Sequence, residues 1–466
     1  MDSLAILISL FIPTLLGFSI INYFFQRVSL NFFLILALSY GLGLGLLTEW
    51  MLVLQFLRLS FQTEWIAIPL IFFSLGLIYL SPRGVFSLRA HPERSEILKQ
   101  AQDSEQSRGT RRPLNLLKFI FLLFLLIFVV YQIIFSFWLA IKLPVNTWDE
   151  IYLYATKAKI LYFDGNLEKI KYTPMAFYPP FIPLSEVWIA LNLERWDDEL
   201  VKIIFPLIYL AYGVIQYNFL RNLVGHYRAL VGIVVLCSAN ILNIHATISY
   251  SDLFLLYYNC STIILLLMWF QKKEDGFLIL ASIFSGLGTL VKLEGLAYLF
   301  IHVLLLLFIL WNEKIYPMEK KVVKFLKFII PSLFLYMIYS FYKIVAKIPL
   351  VGRLHYEPLG VHLKQFNKIL FSPMENFFLS CNWNIVWFLL LLNLPVIIRS
   401  KRVEVKGLMF ALVMFLGLYF MVGLFTSDFS PIFGKQSYFS LSRIILHFYP
   451  LATLLIALAN QPENFQ

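Results

Sequence analysis

Cysteine is scarce. Cys237, Cys260 and Cys381 are the only three in 466 residues, scattered through apolar runs with no ligand spacing. That excludes a disulfide framework and a cysteine-based metal cluster. The seven histidines are too dispersed to argue for a metal centre. Charge is scarce too, at 14% of residues against 60% hydrophobic, with a mean hydropathy of +0.77. A soluble enzyme domain of this size has no use for so much apolar surface. No basic leader with a small-residue cleavage site accompanies the first apolar run near Leu4, which is therefore read as a first span. Period-two alternation is missing, which excludes an outer-membrane barrel. No internal repeat is visible.

What remains is a succession of apolar runs, each about 20 residues and long enough to cross a hydrocarbon core. Inside lipid the backbone must satisfy its own hydrogen bonds, so these runs are helices. The reading is an all-α polytopic membrane protein with about thirteen transmembrane helices, near 3–25, 30–57, 65–80, 114–141, 201–220, 229–246, 253–271, 276–291, 295–311, 328–346, 377–398, 407–425 and 441–459.

The net charge of +11 gathers in short inter-helix loops, which is the positive-inside pattern and leaves no case for nucleic acid. Putting 81–113, 312–327 and 399–406 in the cytoplasm sends 142–200, 247–251, 292–295, 349–376 and 426–440 to the other side. Four parts follow: N-terminal helices over 1–80, an appended module carrying no evident chemistry; a disordered basic cytoplasmic loop over 81–113; a core over 114–346 including the external loop 142–200; and C-terminal helices over 347–466 with external loops 349–376 and 426–440. The 142–200 loop is rich in aromatics and prolines. Helical spacing over Ile151–Tyr162 predicts amphipathic helices lying in the interface.

The candidate chemistry lies on that external side. Asp149 and Glu150 follow directly on a span, with Tyr152 next, then Asp164-Gly165, then Tyr178-Pro179-Pro180-Phe181. The proline pair stiffens the turn. Two loop acids by themselves are ordinary solvated charge; beside a rigid turn they are a way to present a carboxylate. Asp252 stands at a span mouth, where it either caps a helix or faces a cavity. Lys292 and Glu294 fall between two spans with almost no loop, and a lysine there either pairs with an acid or meets a lipid phosphate. Arg443 and His447 are four apart, on one helix face; snorkelling for the arginine and a core position for the histidine are the plain alternatives. Arg353, His355, Glu357, Glu49, His245 and His302 form no pattern. A divalent cation on Asp149 and Asp252 stays open.

In this order and sidedness, the motifs resemble the GT-C superfamily of membrane glycosyltransferases, in the protein O-mannosyltransferase and aminoarabinose lipid A transferase branch (glycosyltransferase family 39 type). The resemblance rests on Asp149-Glu150 with Tyr152, Asp164-Gly165, Pro179-Pro180-Phe181, Asp252, Lys292 to Gly295, and Arg443 with Pro450, and it covers about 142–460. The three extra leading spans, Phe181 where leucine is usual, and the lack of a large soluble C-terminal domain depart from it.

It implies a polyprenyl-phosphate-sugar donor and inverting transfer to a lipid, glycan or protein acceptor on the extracytoplasmic face, expected to be that of a bacterial inner membrane. Asp149 would be the general base, with Glu150 and Asp252 as further catalytic acids. Lys292, Glu294, Arg443, His447, Tyr152 and Tyr178 would bind substrate. No cofactor is certain. A transporter or flippase, or a polymerase or ligase of lipid-linked glycans, is the alternative function.

Overall fold

The computed structural model describes residues 2–26, 28, 30–81, 116–314, 316–348, 366–425 and 438–459. Nearly all of the expected basic loop, 82–113, lies outside these residues, as do 349–365 with Arg353, His355 and Glu357, and 426–437.

Among the described residues the chain is an all-α polytopic membrane fold. In order the helices are α1 (Asp2–Phe24), α2 (Phe32–Phe56), α3 (Thr63–Leu80), α4 (Leu116–Ala140), a π-helical turn (Glu150–Ala155), α5 (Thr156–Asp164), a 3₁₀ turn (Glu168–Tyr172), α6 (Phe181–Leu193), a second 3₁₀ turn (Leu200–Ile203), α7 (Ile204–Cys237), α8 (Asn240–His245), α9 (Ser251–Lys272), α10 (Asp275–Val291), α11 (Glu294–Asn312), α12 (Met318–Val345), α13 (Phe366–Leu379), α14 (Val386–Arg399), α15 (Val403–Phe425), α16 (Tyr438–Leu446) and α17 (Tyr449–Ala459). Nine of the described helices are long and apolar enough to cross a membrane, and the bent pair α16–α17 makes a tenth.

The expected spans differ from the observed ones where the helices break. The runs at 201–220 and 229–246 meet in α7, which reverses at Gly225 (φ 78°, ψ 171°). A Cβ at Gly232 would meet the Leu220 side chain at 2.6 Å, so the two arms fold back on one another. The 377–398 run divides into α13 and α14 around residues 380–385. The last run bends by 50° between Leu446 and Tyr449, just before Pro450, which disfavours the helical conformation of the residue ahead of it.

α9 is the central post. Leu253–Leu267 are all buried, with Asp252 at its outer end and Phe254, Tyr257 and Tyr258 packed around. α2 is sunk against it. Tyr257 and Tyr258 donate to the carbonyls of Ala37 (2.8 Å) and Gly41 (2.7 Å). A side chain at Gly43 would strike the Pro13 carbonyl, so α1 and α2 touch backbone to backbone, the usual use of small residues between membrane helices.

Two faces emerge from the ion pairs. Lys273–Glu313 and Asp275 with Lys324 and Lys327 (2.6 Å for Lys327), together with a hydrogen bond from Gln271 to Glu404 (2.8 Å), gather the basic loops on one side. Arg195 with Asp2 (2.8 Å), Lys159 with Asp198 (2.9 Å) and Lys169 with Asp164 (2.6 Å) mark the other.

Candidate active site

On this second face four segments meet. Asp149 comes from the end of the loop after α4, Asp252 from the first turn of α9, Lys292 from the gap between α10 and α11, and Arg443 from α16. Arg443 ties them together: its Nε donates to Oδ2 of Asp252 (2.9 Å) and its Nη1 to Oδ2 of Asp149. Its guanidinium also stacks over Tyr250, 4.5 Å from the ring centroid. Lys292 Nζ donates to Oδ1 of Asp252 (3.0 Å) and pairs with Glu294 Oε1 (3.0 Å). His447 Nε2 meets Oδ1 of Asp252 at 2.8 Å. Asp252 is thus fully buried with both oxygens engaged by cations or imidazole, whereas the Asp149 side chain is 25% exposed and that of Glu294 33%.

Local structure explains the arrangement. The turn Glu150–Ala155 is π-helical, with one extra residue per turn. That brings Glu150, Tyr154 and Ala155 to the inner side and leaves Ile151 and Tyr152 exposed. Glu150 is saturated: Oε2 accepts from the amides of Asn146 and Thr147 (both 3.1 Å) and the Thr147 hydroxyl (3.0 Å), and Oε1 from the Ser249 amide (2.8 Å). It fastens the Asp149 loop to the strap that leads into α9. Lys202 supports the same corner, donating to the Thr247 carbonyl (3.3 Å) and lying 3.8 Å from Glu150.

Gly295 is what lets α11 begin so close to α10. A Cβ there would come within 2.1 Å of the Gly288 carbonyl oxygen. Lys292 therefore sits in a gap closed on both sides. Burial opposes its charge, but Asp252 and then Glu294 outweigh that and hold its pKa well above an ordinary lysine's. α16 is held in place by Ser442, which accepts from Asn376 (2.9 Å) and Asn382 (2.7 Å).

Of the residues expected at a site, the structure brings together Asp149, Asp252, Lys292, Glu294, Arg443 and His447. Tyr178 stands beside them; burial, and after it the Glu294 carboxylate, push its pKa up. The Tyr178 carbonyl accepts from Tyr339 (3.0 Å), and the proline pair leads directly into α6. Two residues lie elsewhere. Glu150 is packed inward as described, and Tyr152 is on the surface, stacked with the exposed Trp148 (centroids 5.6 Å).

The place suggested for a divalent cation is taken by a guanidinium. Arg443 bridges Asp149 and Asp252, and among the described residues no group of three His, Cys, Asp or Glu side chains gathers for a metal.

Several residues at the site gave no sequence signal. Tyr154 bonds Ser251 (2.6 Å) within reach of Asp252, and burial followed by that carboxylate pushes its pKa up to about 12. His447 Nδ1 meets the Tyr298 hydroxyl at 2.6 Å, and Tyr298 in turn bonds Tyr419. Asn259 accepts from His302 Nε2 through its Oδ1 (2.8 Å) and donates through its Nδ2 to the His447 carbonyl (2.7 Å). His245 Nε2 lies 3.8 Å from Asp252.

No protein-family profile and no curated protein matches the chain. Two solved structures are similar to it: ArnT from Cupriavidus metallidurans bound to undecaprenyl phosphate (14% identity, 72% of this chain and 60% of that one, TM-score 0.48) and the same protein in the apo state (14%, 72% and 59%, TM-score 0.49). This chain thus spans about 60% of the length of those chains.

Proposed function

We propose that the protein is a GT-C-type membrane glycosyltransferase. It moves a sugar from a polyprenyl-phosphate donor to a hydroxyl of a lipid, glycan or protein acceptor, on the extracytoplasmic face of what we take to be a bacterial inner membrane. The observation that carries this reading is the bridge from Asp149 through Arg443 to Asp252, with Lys292 alongside. Two cations beside a partly accessible carboxylate, Asp149, suit a reaction that releases a lipid phosphate and deprotonates an alcohol. On this reading the catalytic part runs over 114–346, with Arg443 and His447 supplied by 347–466.

The step is a displacement at the anomeric carbon. The acceptor oxygen forms its bond to that carbon from the face opposite the leaving group, which gives inversion. The carbon–oxygen bond to the phosphate breaks, and its electron pair stays on the phosphate oxygen. The acceptor proton passes to Asp149, the accessible member of the two bridged aspartates. Charge growing on the phosphate is offset by Lys292 and Arg443, an effect worth about 3 kcal/mol per well-aimed donor. Arg443 has two arms: Nε stays on Asp252, while a phosphate competes for Nη1 and frees Asp149 to accept the proton. Asp252, Glu150 and His447 act as positioning residues, since their polar atoms are engaged by protein groups.

The test is an Asp149→Asn variant in membranes supplied with a prenyl-phosphate sugar. Transfer is expected to fall by about 10²- to 10⁴-fold with thermal stability retained. Undiminished transfer removes the base assignment. Mass spectrometry of glycolipids, glycans and glycoproteins with and without the gene identifies the product; no difference in any of them overturns the transferase reading.

A further inference from the structure

A polar cavity opens on the same face as the candidate active site, away from the Arg443 cluster. Its volume is about 730 Å³, and it lies between the α2–α3 loop, the 164–172 segment and the end of α12. Arg58, Lys171 and Lys347 line it, with Glu168 the single acid and Gln55 and Asn166 supplying amides. From these residues we propose that the cavity is a binding site for a phosphate-type oxyanion at the membrane surface, distinct from the transfer chemistry and independent of it.

Three observations point there. The first is pairing. Lys159, Lys169, Arg195, Lys202 and Lys292 on this face each lie within ion-pair distance of an acid. Among the described residues on this face Arg58, Lys142, Lys157, Lys171 and Lys347 have no such acid, and three of these five line the one cavity; Lys157 is taken up by the Met175 carbonyl (3.2 Å), whereas Lys171 meets only the Tyr172 ring, 5.0 Å from its centroid. The second is sidedness. Unpaired cations on the face opposite the basic loops run against the charge bias of membrane proteins, so they call for a reason.

The third is backbone conformation. Arg58 and Lys347 both stand just past a helix end in the left-handed region (φ 56° and 55°), each closing the last turn of its helix. Glycine fills that position at lower conformational cost. A long cation kept there twice, facing one cavity, points to a use for the side chain. The C-termini of α2 and α12 together contribute about one negative charge. With Glu168 they offset about two of the three cations and leave the cavity net positive.

The ligand chemistry is a phosphate oxygen, whether of a lipid headgroup or of a free ion. Guanidinium and ammonium donors on separate segments give charge-assisted hydrogen bonds to such a group, and Phe56, Tyr342 and Val345 supply apolar lining beside them.

The full-length protein is purified in neutral detergent and titrated calorimetrically with inorganic phosphate. Separately, it is placed in phosphatidylcholine nanodiscs containing phosphatidylglycerol, and retained lipid is counted by native mass spectrometry. Wild type is expected to bind at least one of the two probes, and Arg58→Gln/Lys171→Gln/Lys347→Gln to bind it about tenfold more weakly or worse. Lys320→Gln/Lys321→Gln/Lys401→Gln, on the opposite face, should match wild type. Phosphate binding alone identifies a free-anion site, and phosphatidylglycerol retention without phosphate binding identifies a headgroup site. Wild type binding neither probe, or the two triple variants binding alike, overturns the proposal. Lys171→Gln alone gives the same reading should the triple variant not fold.

Discussion

Asp149 and Asp252 are the same residue type in opposite settings, and the difference sorts their substitutions. Asp252 is buried against Arg443, Lys292 and His447. Replacing it with asparagine leaves two cations without their shared counter-charge, a change that costs about 3–5 kcal/mol when one partner of a buried pair is removed. We expect Asp252→Asn to lower the thermal midpoint markedly in a detergent-solubilised melt. Asp149→Asn, at the more accessible end of the bridge, should lower that midpoint much less, because Asp149 keeps partial contact with solvent and its loss leaves Arg443 still paired with Asp252. Equal melting of the two variants would contradict the assignment of Asp252 as the anchor. Arg443→Lys is a further separation at this scale. A lysine cannot hold Asp252 with one nitrogen and Asp149 with another. Transfer should fall with Arg443→Lys even though the charge is kept, and initial rates in membranes check it.

Among the elements, the tight start of α11 and the buried α6 make predictions of their own. A methyl group at Gly295 would run into the Gly288 backbone carbonyl, which cannot swing aside as a side chain can. Gly295→Ala should cost about 1–3 kcal/mol of stability and shift Lys292, so a fall in activity should accompany a lower melting point. In α6, burial and then the Glu150 charge push the Glu186 pKa up to about 8, with the Ser249 hydroxyl opposing. The folded state then holds its proton more tightly than the unfolded chain, whose glutamate titrates near 4.5. This contribution is present below pH 4.5 and is lost as pH rises through 8. Melting temperature should fall over that window, and the Glu186→Gln variant should show a shallower fall. These same elements show how much could be read in the sequence. The charges at span ends were visible because lipid makes each one expensive, so Asp149, Asp252, Lys292 and Arg443 stood out before any fold was known. The π-helical turn did not. Helical spacing over Ile151–Tyr162 gives no hint of the extra residue that turns Glu150 inward and leaves Tyr152 at the surface. Tyr154 and Tyr298 were hidden among 25 tyrosines, and only the folding of distant helices gives these two their partners. The break at Gly225 was legible as two spans, whereas the division near 380–385 carries only Ser380, Asn382 and Asn384 between apolar flanks and was read through as one span.

At the scale of the whole molecule, the reading depends on which face carries the site. The chain supplies its own probe. Cys237 and Cys260 are buried, and Cys381 is exposed. The Cys381 carbonyl accepts from Asn240 (2.7 Å) at the turn after α7, and neighbouring Asn382 reaches Ser442, the residue beside Arg443. Cys381 therefore lies on the face that holds Asp149 and Arg443. The basic ends of α12 and α14, with Lys320, Lys321, Arg399 and Arg402, lie on the other, and the charge bias of membrane proteins assigns that one to the cytosol. A membrane-impermeant maleimide added to intact spheroplasts should label the wild-type protein, and Cys381→Ser should abolish the label. Lys320→Cys in the Cys381→Ser background should react only after the cells are opened. Labelling of Lys320→Cys in intact cells, with Cys381 protected until lysis, would turn the site toward the cytosol and leave a donor on the outer leaflet out of its reach.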